Sequence, residues 1–454
     1  MIEFRNIQYN KEYKELIETF IPDSGNKGLV LIFEKNDNIL SLTVRNYVNK
    51  LKIDEYFTEE TSNIKRGIYN LLKIYTGQDL KWGMLVGVNP LKLFTKLIDK
   101  YGIQKSNLIL KEGYFLSDEK IKLGLSILEN QNPIRKILTG KNSIYIDVPF
   151  CPSRCSYCSY SIYKVDFDLI NNYLNTLSYE IKTVSKYCNF IPQSIYIGGG
   201  TPSSIGAKNL SILLNIVKEN FKKPEEFTVE IGRPDTINAE ILDVLELYGV
   251  DRISINPQTM KDETLKKLCR NHSSRDVLDS FNLARRYGFN NINMDLIIGL
   301  PDETSLDFFN TLEIIKELSP ESISIHALSL KKGSELTQSG YFGNRIEDFQ
   351  KIRDDFIENQ DYIPYYLYRQ KNIFLNIENI GYSKLGKESL YNVAMMEDLQ
   401  NILGLGLGST TKVINGDKIF RHMNYRRLKD YLENIDKNIE DKLKIFGGNI
   451  DEII

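Results

Sequence analysis

Three of the five cysteines in this 454-residue chain lie within the segment Cys151-Pro-Ser-Arg-Cys155-Ser-Tyr-Cys158. This C-x3-C-x2-C spacing lets one loop present three thiolates to a single metal centre. Ferredoxins supply four cysteines to a [4Fe–4S] cluster, and structural zinc sites normally have four protein ligands. Because no fourth ligand lies nearby in the sequence, the motif predicts a cluster with one iron open to a substrate or cofactor. Three incidental thiols, or an incomplete zinc site, are the alternatives.

Composition limits the other kinds of chemistry. An odd number of cysteines in a long chain argues against a disulfide framework. Three histidines are too few and too scattered to indicate a conventional zinc or haem site by themselves. The chain has 58 basic and 60 acidic residues and a formal net charge of −2, which excludes a strongly basic nucleic-acid scaffold.

The hydropathy of the chain and its first ten residues indicate where in the cell the protein is expected. The sequence contains no run of 18 apolar residues, so no membrane-spanning helix is expected. The segment MIEFRNIQYN has neither the positive charge nor the apolar stretch of a signal peptide. We therefore expect a cytoplasmic protein without a membrane span.

Between about residues 141 and 335, strand patterns alternate with helix patterns, which predicts a parallel sheet with right-handed crossovers. Six units are too few to close an eight-stranded barrel, so the predicted fold is α/β, a partial (β/α)6 barrel. In such folds, chemistry is found at the carboxyl ends of the strands. The six predicted strands are SIYIDVPF (143–150), SIYIGGG (194–200), EEFTVEIG (225–232), VDRISINP (250–257), NINMDLIIG (291–299) and SISIHALS (322–329).

Two further regions flank the predicted barrel. Residues 1–130 contain strand patterns in MIEFRNIQ, LVLIFEK and ILSLTVRN, followed by helix patterns at 59–75 and 89–102, and predict a small N-terminal α+β domain. In the second helix we expect Asn89 as N-cap and Gly102 at the end. Residues 340–454 form a mixed C-terminal region that is expected to cover the substrate, with the segments YYLYRQKN and LGLGLGST.

Polar residues and glycines follow the predicted strands. Gly199, Gly200 and Thr201 end the second strand, and glycine there allows close approach of a ligand to the backbone. Glu230 ends the third strand, where a carboxylate suits a ribose diol. Gln258, Arg270 and Asp295 follow the fourth and fifth strands or the helix between them. Any one of these residues is more often a structural polar group, and it is their order along the sheet that indicates a site.

The cysteine motif, with Tyr157 before its last cysteine and a strand before its first, resembles the radical S-adenosylmethionine superfamily. The resemblance implies that Cys151, Cys155 and Cys158 hold a [4Fe–4S] cluster whose open iron chelates S-adenosylmethionine. It also implies reductive cleavage of that cofactor to a 5′-deoxyadenosyl radical, which abstracts a substrate hydrogen. The segment after the second strand would then pair with the methionine amino group.

Longer stretches resemble one subfamily, the oxygen-independent coproporphyrinogen III dehydrogenases, in the branch that carries an extra N-terminal domain. The resemblance places Tyr145 at the cofactor site, Tyr157 beside the cluster, Arg270 near the methionine carboxylate and the backbone of Ala327 near adenine. The matching stretches are YIDVPFC, IGGGTPSS, SINPQTM with CRNHS, MDLIIGLP, EIGRPDTI and PYYLYRQKN.

The implied reaction is oxidative decarboxylation of coproporphyrinogen III to protoporphyrinogen IX, with an electron donor of flavodoxin or ferredoxin type. The best-understood dehydrogenases carry another cysteine two residues after the third ligand, where this chain has Tyr160. A haem chaperone of the same family, or a radical methylase acting on another substrate, therefore remain alternatives.

A tetracarboxylate substrate needs cations, and arginine binds carboxylates in a two-pronged geometry. Arg233, Arg369 and Lys371 are the first candidates, followed by Lys384, Lys387 and Arg421, each of which is at least as often an ordinary surface charge. His272 is a further candidate ligand, although a lone histidine near a strand end is more often a structural hydrogen-bonding group.

Overall fold

A computed structural model of the chain describes residues 1–21, 29–36, 39–45, 50–56, 64–329, 336, 349–370, 377–416 and 418–446. The chain forms two compact units. The first comprises Met1–Glu129 with Tyr368–Asn376, and the second comprises Asn130–Leu367 with Ile377–Ile454. The division of the second unit into two domains at about residue 340 stays a prediction.

The first unit is built on a four-stranded sheet. Its strands are β1 (Ile2–Arg5), β2 (Val30–Asn36), β3 (Ile39–Arg45) and β4 (Lys50–Tyr56), and its helices are α1 (Lys11–Phe20), α2 (Ile64–Thr76) and α3 (Leu91–Leu108). The strands lie in chain order, with β1 parallel to β2 and the other pairs antiparallel. A core that includes Phe20, Phe33, Leu42 and Leu72 lies between this sheet and the helices.

Local signals set the helix ends in this unit. Helix α2 ends one residue before Gly77, whose φ of 68° is left-handed. Pro90 is the N-cap of α3, and the side chain of Asn89 accepts a hydrogen bond from the Leu91 N–H at 3.0 Å. Gly102 (φ 75°, ψ 165°) interrupts α3, but helical backbone resumes beyond it. The glycine therefore breaks the helix, and the prediction that the helix ends there is wrong.

The second unit contains an eleven-stranded sheet in the order β13-β14-β12-β11-β10-β9-β8-β5-β15-β16-β17. A separate two-stranded parallel sheet joins β6 to β7. The strands are β5 (Asn142–Val148), β6 (Phe150–Cys151), β7 (Tyr163–Lys164), β8 (Ser194–Gly199), β9 (Glu226–Val229), β10 (Arg252–Ser254), β11 (Ile292–Ile298), β12 (Ser322–Ala327), β13 (Ile363–Tyr368), β14 (Asn379–Ser383), β15 (Asn401–Leu405), β16 (Thr410–Asn415) and β17 (Lys418–Met423).

The six strands that the sequence predicts are β5, β8, β9, β10, β11 and β12, and they lie side by side and parallel. A seventh parallel strand, β15, pairs with the outer side of β5 and comes from the glycine-rich C-terminal segment. Antiparallel strands extend the sheet at both ends, so it remains open rather than closing on itself.

Helices connect and cover these strands. Between the parallel strands run α5 (Phe167–Val184), α6 (Ala207–Asn220), α7 (Ala239–Leu247), α8 (Asp262–Lys267), α9 (Ser274–Arg286) and α10 (Ser305–Leu318), preceded by α4 (Asp118–Leu138) and followed by α11 (Phe349–Glu358), α12 (Leu390–Glu397), α13 (Leu428–Glu433) and α14 (Ile435–Phe446). Capping boxes at Ser273 and Thr304 fix the starts of α9 and α10. No described helix combines the length and the hydropathy that a membrane-spanning helix needs.

A buried ion pair fastens the C-terminal helix to the barrel. The carboxylate of Glu180 in α5 pairs with the ammonium of Lys442 in α14, and both side chains are fully buried. Glu180 also accepts hydrogen bonds from the Gly406 N–H at 2.8 Å, the Tyr431 hydroxyl at 2.7 Å and the Asn424 amide at 2.9 Å. Since its carboxylate oxygens are supplied with donors, the pair can lie in the core without an uncompensated charge.

Candidate active site

The cysteine loop begins directly after β5. Cys151 lies in β6, which pairs with β7 and so closes the loop at its base. Farther along, the Ser156 N–H donates to the Leu268 carbonyl at 3.1 Å, and the Ser153 hydroxyl donates to the Cys269 carbonyl at 2.9 Å. The loop is therefore held between the end of β5 and the segment that follows α8.

The thiols of Cys155 and Cys158 lie close enough to Cys151 for their charges to affect its pKa. Burial, followed by the nearby thiols of Cys155 and Cys158, raises the pKa of Cys151 to about 11, although a hydrogen bond with Thr201 opposes the change. The Cys151 Sγ lies 3.3 Å from the Thr201 hydroxyl. The Cys158 N–H donates to the Cys155 carbonyl at 2.9 Å, which turns the loop between the last two cysteines.

Three cysteine thiols on one loop are the donor set of a cluster that keeps one iron open. Within the part of the chain that the structure describes, no three His, Cys, Asp or Glu side chains are grouped tightly enough to hold one ion. In a cubane cluster each thiolate binds its own iron, so the sulfurs surround a larger body.

A cavity with a polar wall lies on one face of the parallel strands. In β5, Tyr145 and Asp147 keep accessible surface although Ile144, Ile146 and Val148 are buried. The same partial exposure recurs on the neighbouring strands or directly after them, at Tyr196, Glu230, Asp295 and His326. Because side chains of a strand alternate between faces, these groups line one open space. Three carboxyl groups and two tyrosines therefore face the region next to the cysteine loop.

The glycines after β8 allow close packing of protein groups. A Cβ at Gly199 (φ 103°) would lie 2.4 Å from the Asp147 Oδ2, and one at Gly200 would lie 2.5 Å from the Phe150 carbonyl oxygen. The Gly200 N–H donates to the Val148 carbonyl at 2.9 Å, and the N–H of buried Thr201 donates to the Phe150 carbonyl at 2.7 Å. These contacts seat the base of the cysteine loop. A contact of this segment with the methionine amino group stays a prediction.

Glu230 follows β9 at the wall of the cavity. Its Oε2 accepts a hydrogen bond from the Tyr196 hydroxyl at 3.3 Å. Burial, and then the negative charge of Asp295, raise the pKa of Glu230 to about 8, against the opposing effect of that hydrogen bond. The carboxyl group is thus mostly protonated at neutral pH until a ligand provides donors to it.

Gln258 and Asp295 meet at the ends of β10 and β11. The Gln258 N–H donates to the Asp295 carbonyl at 2.9 Å, and Gln258 takes a left-handed φ of 68°. Its side-chain Oε1 is buried without a hydrogen-bond partner among the described residues. Burial would raise the pKa of Asp295, but hydrogen bonding and charge from His326, with help from Asn293 and Ser324, bring it below its ordinary value.

Arg270 connects the strand ends to the cysteine loop. One of its guanidinium nitrogens donates to the Tyr157 hydroxyl at 3.1 Å and lies 3.9 Å from the Cys155 Sγ, and the other donates to the carbonyls of Gly232 and Asn256. The Nε has no partner among the described residues and is buried. Burial raises the pKa of Tyr157 despite the neighbouring positive charge of Arg270.

Sequence reasoning missed several residues of the cavity wall. Tyr145 stacks with Tyr196 and Tyr391, at centroid distances of 6.2 and 6.0 Å, and its hydroxyl donates to the Asp147 Oδ2 at 3.2 Å. Burial, and then the charge of Glu230, raise the pKa of Asp147 well above its ordinary value. The position of Asp147, two residues after Tyr145, is the signal that could have identified it. Tyr391 lies in α12 and has no such signal.

Tyr160 occupies the position of the absent fourth cysteine. Its side chain remains 64% exposed. Enclosure by the surrounding protein and then the nearby charges of Glu230 and Cys158 raise its pKa, and the solvent that reaches the ring weakens this effect. The ring therefore extends into the cavity without packing closely against its walls.

The remaining predicted residues are placed as follows. The Ala327 N–H donates to the Asn379 side chain at 2.8 Å. His272 is buried, neither ring nitrogen has a hydrogen-bond partner in the described part of the chain, and burial followed by the charge of Arg270 lowers its pKa to about 3. Cys269 is exposed at the end of α8.

The proposed substrate cations are distributed over different parts of the fold. Arg233 lies beside the cysteine loop. Arg369 is 6% exposed, donates to the carbonyl of Leu85 through its side chain and to that of Val88 through its N–H, and stacks over Trp82. Its fork is thus engaged within the first unit. Lys371 lies outside the described residues.

The lower-ranked cations do not lie beside the cysteine loop. Lys384 donates to Ser319 and Lys387 to the Asn290 carbonyl, both of which precede strands of the sheet, so these lysines lie at its amino edge. Arg421 is half exposed in β17, 3.8 Å from a carboxylate. Their positions do not favour contact with one ligand.

Comparison with known proteins identifies the family. The model of the radical SAM superfamily matches residues 145–315. The chain is 39% identical to the oxygen-independent coproporphyrinogen-III oxidase-like protein HemZ of Bacillus subtilis over 410 residues, which are 86% of this chain and 82% of that protein. The chain belongs to the radical SAM superfamily and, within it, to the coproporphyrinogen-III oxidase-like proteins.

Two other similarities are weaker or shorter. The chain is 37% identical to the haem chaperone HemW of Bacillus subtilis over 190 residues, which are 41% of this chain and 50% of that protein. The structure of coproporphyrinogen III oxidase HemN from Escherichia coli aligns with a TM-score of 0.54 and 22% identity, covering 68% of this chain and 72% of that one. The predicted radical SAM fold is thereby confirmed.

Radical SAM proteins use a [4Fe–4S] cluster and S-adenosylmethionine, and the described residues fit both groups. The loop provides three thiols and no fourth ligand, as an open iron requires. The unpartnered Arg270 Nε is a donor and the unpartnered Gln258 Oε1 an acceptor, and both are buried beside the cavity. An amino-acid cofactor with a carboxylate and an ammonium group offers partners for groups of this kind.

Proposed function

We propose that this protein catalyses the oxygen-independent oxidative decarboxylation of two propionate side chains of coproporphyrinogen III, giving protoporphyrinogen IX. The observation that carries the proposal is the polar and aromatic cavity beside three clustered thiols. The chain is also similar over most of its length to a protein named oxygen-independent coproporphyrinogen-III oxidase-like. In this proposal the chain is an enzyme of haem biosynthesis rather than only a carrier.

The bound cofactors supply the radical that abstracts a hydrogen from the carbon β to a propionate carboxylate. The protein holds and orients them. In this proposal Cys151, Cys155 and Cys158 bind the cluster, and Glu230 accepts hydrogen bonds from the ribose hydroxyls. Arg270 faces the methionine carboxylate through its unpartnered Nε.

The other predicted residues complete the cofactor site. Gln258 and Asp295 hold the polar end of the cavity through their backbone contact at 2.9 Å. Tyr145 packs along the wall, and the backbones of Gly200 and Ala327 approach the ligand. Asp295, whose pKa lies below its ordinary value, gives the wall a negative charge that suits the positive sulfonium of S-adenosylmethionine, since a cation in a poorly solvated space needs a nearby negative charge.

The macrocycle would occupy the space into which Tyr160 extends. Stacked tyrosines offer flat faces to pyrrole rings, and carboxyl groups on the wall can accept hydrogen bonds from pyrrole N–H groups. Loss of carbon dioxide from the substrate radical also releases one electron for each propionate, which a one-electron acceptor outside this chain must take up. We propose an external electron donor of flavodoxin or ferredoxin type for the cluster, and a cytoplasmic location in which such donors are found.

An anaerobic assay tests the proposal. Reconstituted protein that has been reduced is mixed with S-adenosylmethionine, coproporphyrinogen III and a one-electron acceptor, and products are followed by mass spectrometry. We expect a product that has lost two carboxyl groups, together with 5′-deoxyadenosine. The Cys155→Ala variant is the control and should form neither product. Cofactor cleavage without any change in the tetrapyrrole would refute the proposed substrate.

A haem chaperone is the second candidate, because HemW proteins match part of the chain. Haem bound in stoichiometric amount, with no product from coproporphyrinogen III, would favour it. A radical methylase is the third, and transfer of a labelled methyl group from S-adenosylmethionine to another substrate would identify it.

A further inference from the structure

Arg233 is bound to the cysteine loop rather than open to the cavity. Its guanidinium donates two parallel hydrogen bonds to Asp235, at 2.9 and 2.8 Å. The same group donates to the Ser153 hydroxyl and lies 3.7 Å from the Cys155 Sγ. Because its planar fork is already paired with a carboxylate, little of it is left to bind a carboxylate of a substrate.

Cys155 receives two guanidinium groups. A guanidinium nitrogen of Arg233 lies 3.7 Å from the Cys155 Sγ, and one of Arg270 lies 3.9 Å from the same sulfur. Both arginines are almost completely buried, with 3% and 5% of their surface exposed. A buried charge is weakly screened, so its effect on an adjacent thiolate is large. The Cys151 Sγ, in contrast, lies 3.3 Å from the neutral hydroxyl of Thr201.

The carboxylate of Asp235 determines how strongly the positive charge of Arg233 acts on the Cys155 sulfur. Its carboxylate holds the Arg233 fork in place and also compensates part of its charge. His272 lies 3.9 Å from Asp235, and its low pKa keeps it neutral, so it adds no charge. The guanidinium of Arg233 therefore lies between the carboxylate of Asp235 and the thiolate of Cys155.

We propose that Arg233, held by Asp235, is a positioning residue that acts through Cys155 to raise the reduction potential of the iron–sulfur cluster. Hydrogen bonds and positive charge at a ligating sulfur stabilise the reduced, more negative cluster. The one-electron reduction by the external donor then becomes easier. This role is independent of the tetrapyrrole substrate, and it replaces a substrate-clamp role for Arg233.

The test is a redox titration of the reconstituted cluster, monitored by electron paramagnetic resonance, without tetrapyrrole. In Arg233→Gln we expect the ratio of reduced to oxidised cluster at a fixed solution potential to fall about tenfold, which is about 59 mV for a one-electron couple. In Asp235→Asn we expect a shift in the opposite direction, because the arginine charge is no longer compensated. Arg233→Lys keeps the charge and should restore part of the loss.

Arg275→Gln provides the matched control, since this arginine is exposed and paired with Asp279. Its potential should equal that of the parent protein. If Arg233→Gln loses its cluster, the direction of the shift in Asp235→Asn decides the matter. Potentials unchanged in both Arg233→Gln and Asp235→Asn, or a shift of the same sign in the two, would overturn the proposal. A raised KM for coproporphyrinogen III at an unchanged potential would return Arg233 to substrate binding.

Discussion

Binding of S-adenosylmethionine to the oxidised, cluster-loaded protein should tighten as the pH rises from 7 to 9. Glu230 has a pKa of about 8, caused by burial and by the charge of Asp295. As a carboxylate it can accept both ribose hydroxyls, whereas the protonated acid loses one acceptor position and gains a competing donor. Binding below pH 8 must therefore release a proton.

The expected change in affinity for S-adenosylmethionine follows from the raised pKa of Glu230. One unit below the pKa, about a tenth of the carboxyl groups are ionised, so binding at pH 7 carries a penalty of about 1.4 kcal/mol. The affinity should then rise about tenfold between pH 7 and 9. Replacing the carboxylate by an amide removes this dependence and a charged hydrogen bond, which is worth about 1.5–3 kcal/mol. Glu230→Gln should bind weakly and with a smaller pH slope, since only the α-amino group of the cofactor then still loses a proton on binding.

Isothermal titration calorimetry in two buffers of different ionisation enthalpy measures both the affinity and the proton release. Glu225→Gln serves as the control, because this exposed glutamate is outside the cavity. Asp147 also has a raised pKa and faces Glu230, so Asp147→Asn is measured in parallel and should retain a slope. An affinity that is constant or falls with rising pH, or a slope in Glu230→Gln as steep as that of the parent protein, would refute the reasoning.

Three further outcomes are expected. Lys442→Ala leaves a buried carboxylate unpaired and should lower the free energy of unfolding by about 3–5 kcal/mol in denaturant titrations, while the exposed Lys444→Ala should have little effect. Gly200→Ala places a Cβ against the base of the cysteine loop and should lower iron and labile sulfide per chain after reconstitution, whereas Gly113→Ala, with its nearest neighbour at 3.6 Å, should not. Arg369→Ala should lower the midpoint of thermal unfolding without changing the KM for coproporphyrinogen III, and a raised KM with normal stability would contradict this.

The central strands could be predicted from the sequence because each has its own β-branched run between turn residues. The parallel order followed from the helices between them, and the loop after the first strand was evident from its cysteines. Strand β15 was not predicted, because LGLGLGST resembles a loop in composition and becomes a strand only by pairing with β5. Pairing partners so far apart in the chain leave no local signal.

In the site, too, the sequence indicates which residue types are present but not how the folded chain arranges them. Glu230 was proposed from its place after a strand, and its side chain lies on the cavity wall. Asp147 lies inside the matching stretch YIDVPFC but was not proposed as a site residue, and its significance arises from its closeness to Gly199 and Glu230. For Arg233 the sequence indicated a cation, but whether its fork is free depends on Asp235 in the folded chain.

The pairing of β5 with β15 has a consequence for the order of biosynthesis. Asn142 and Asn401 are hydrogen-bonded across this pair although 259 positions separate them. While the ribosome is still adding the intervening residues, the strand that carries the cysteine loop has an unpaired edge. Contacts between such distant segments form late and slowly. The loop is thus expected to reach its final support only after nearly the whole chain has emerged, and insertion of iron and sulfide should follow translation rather than accompany it.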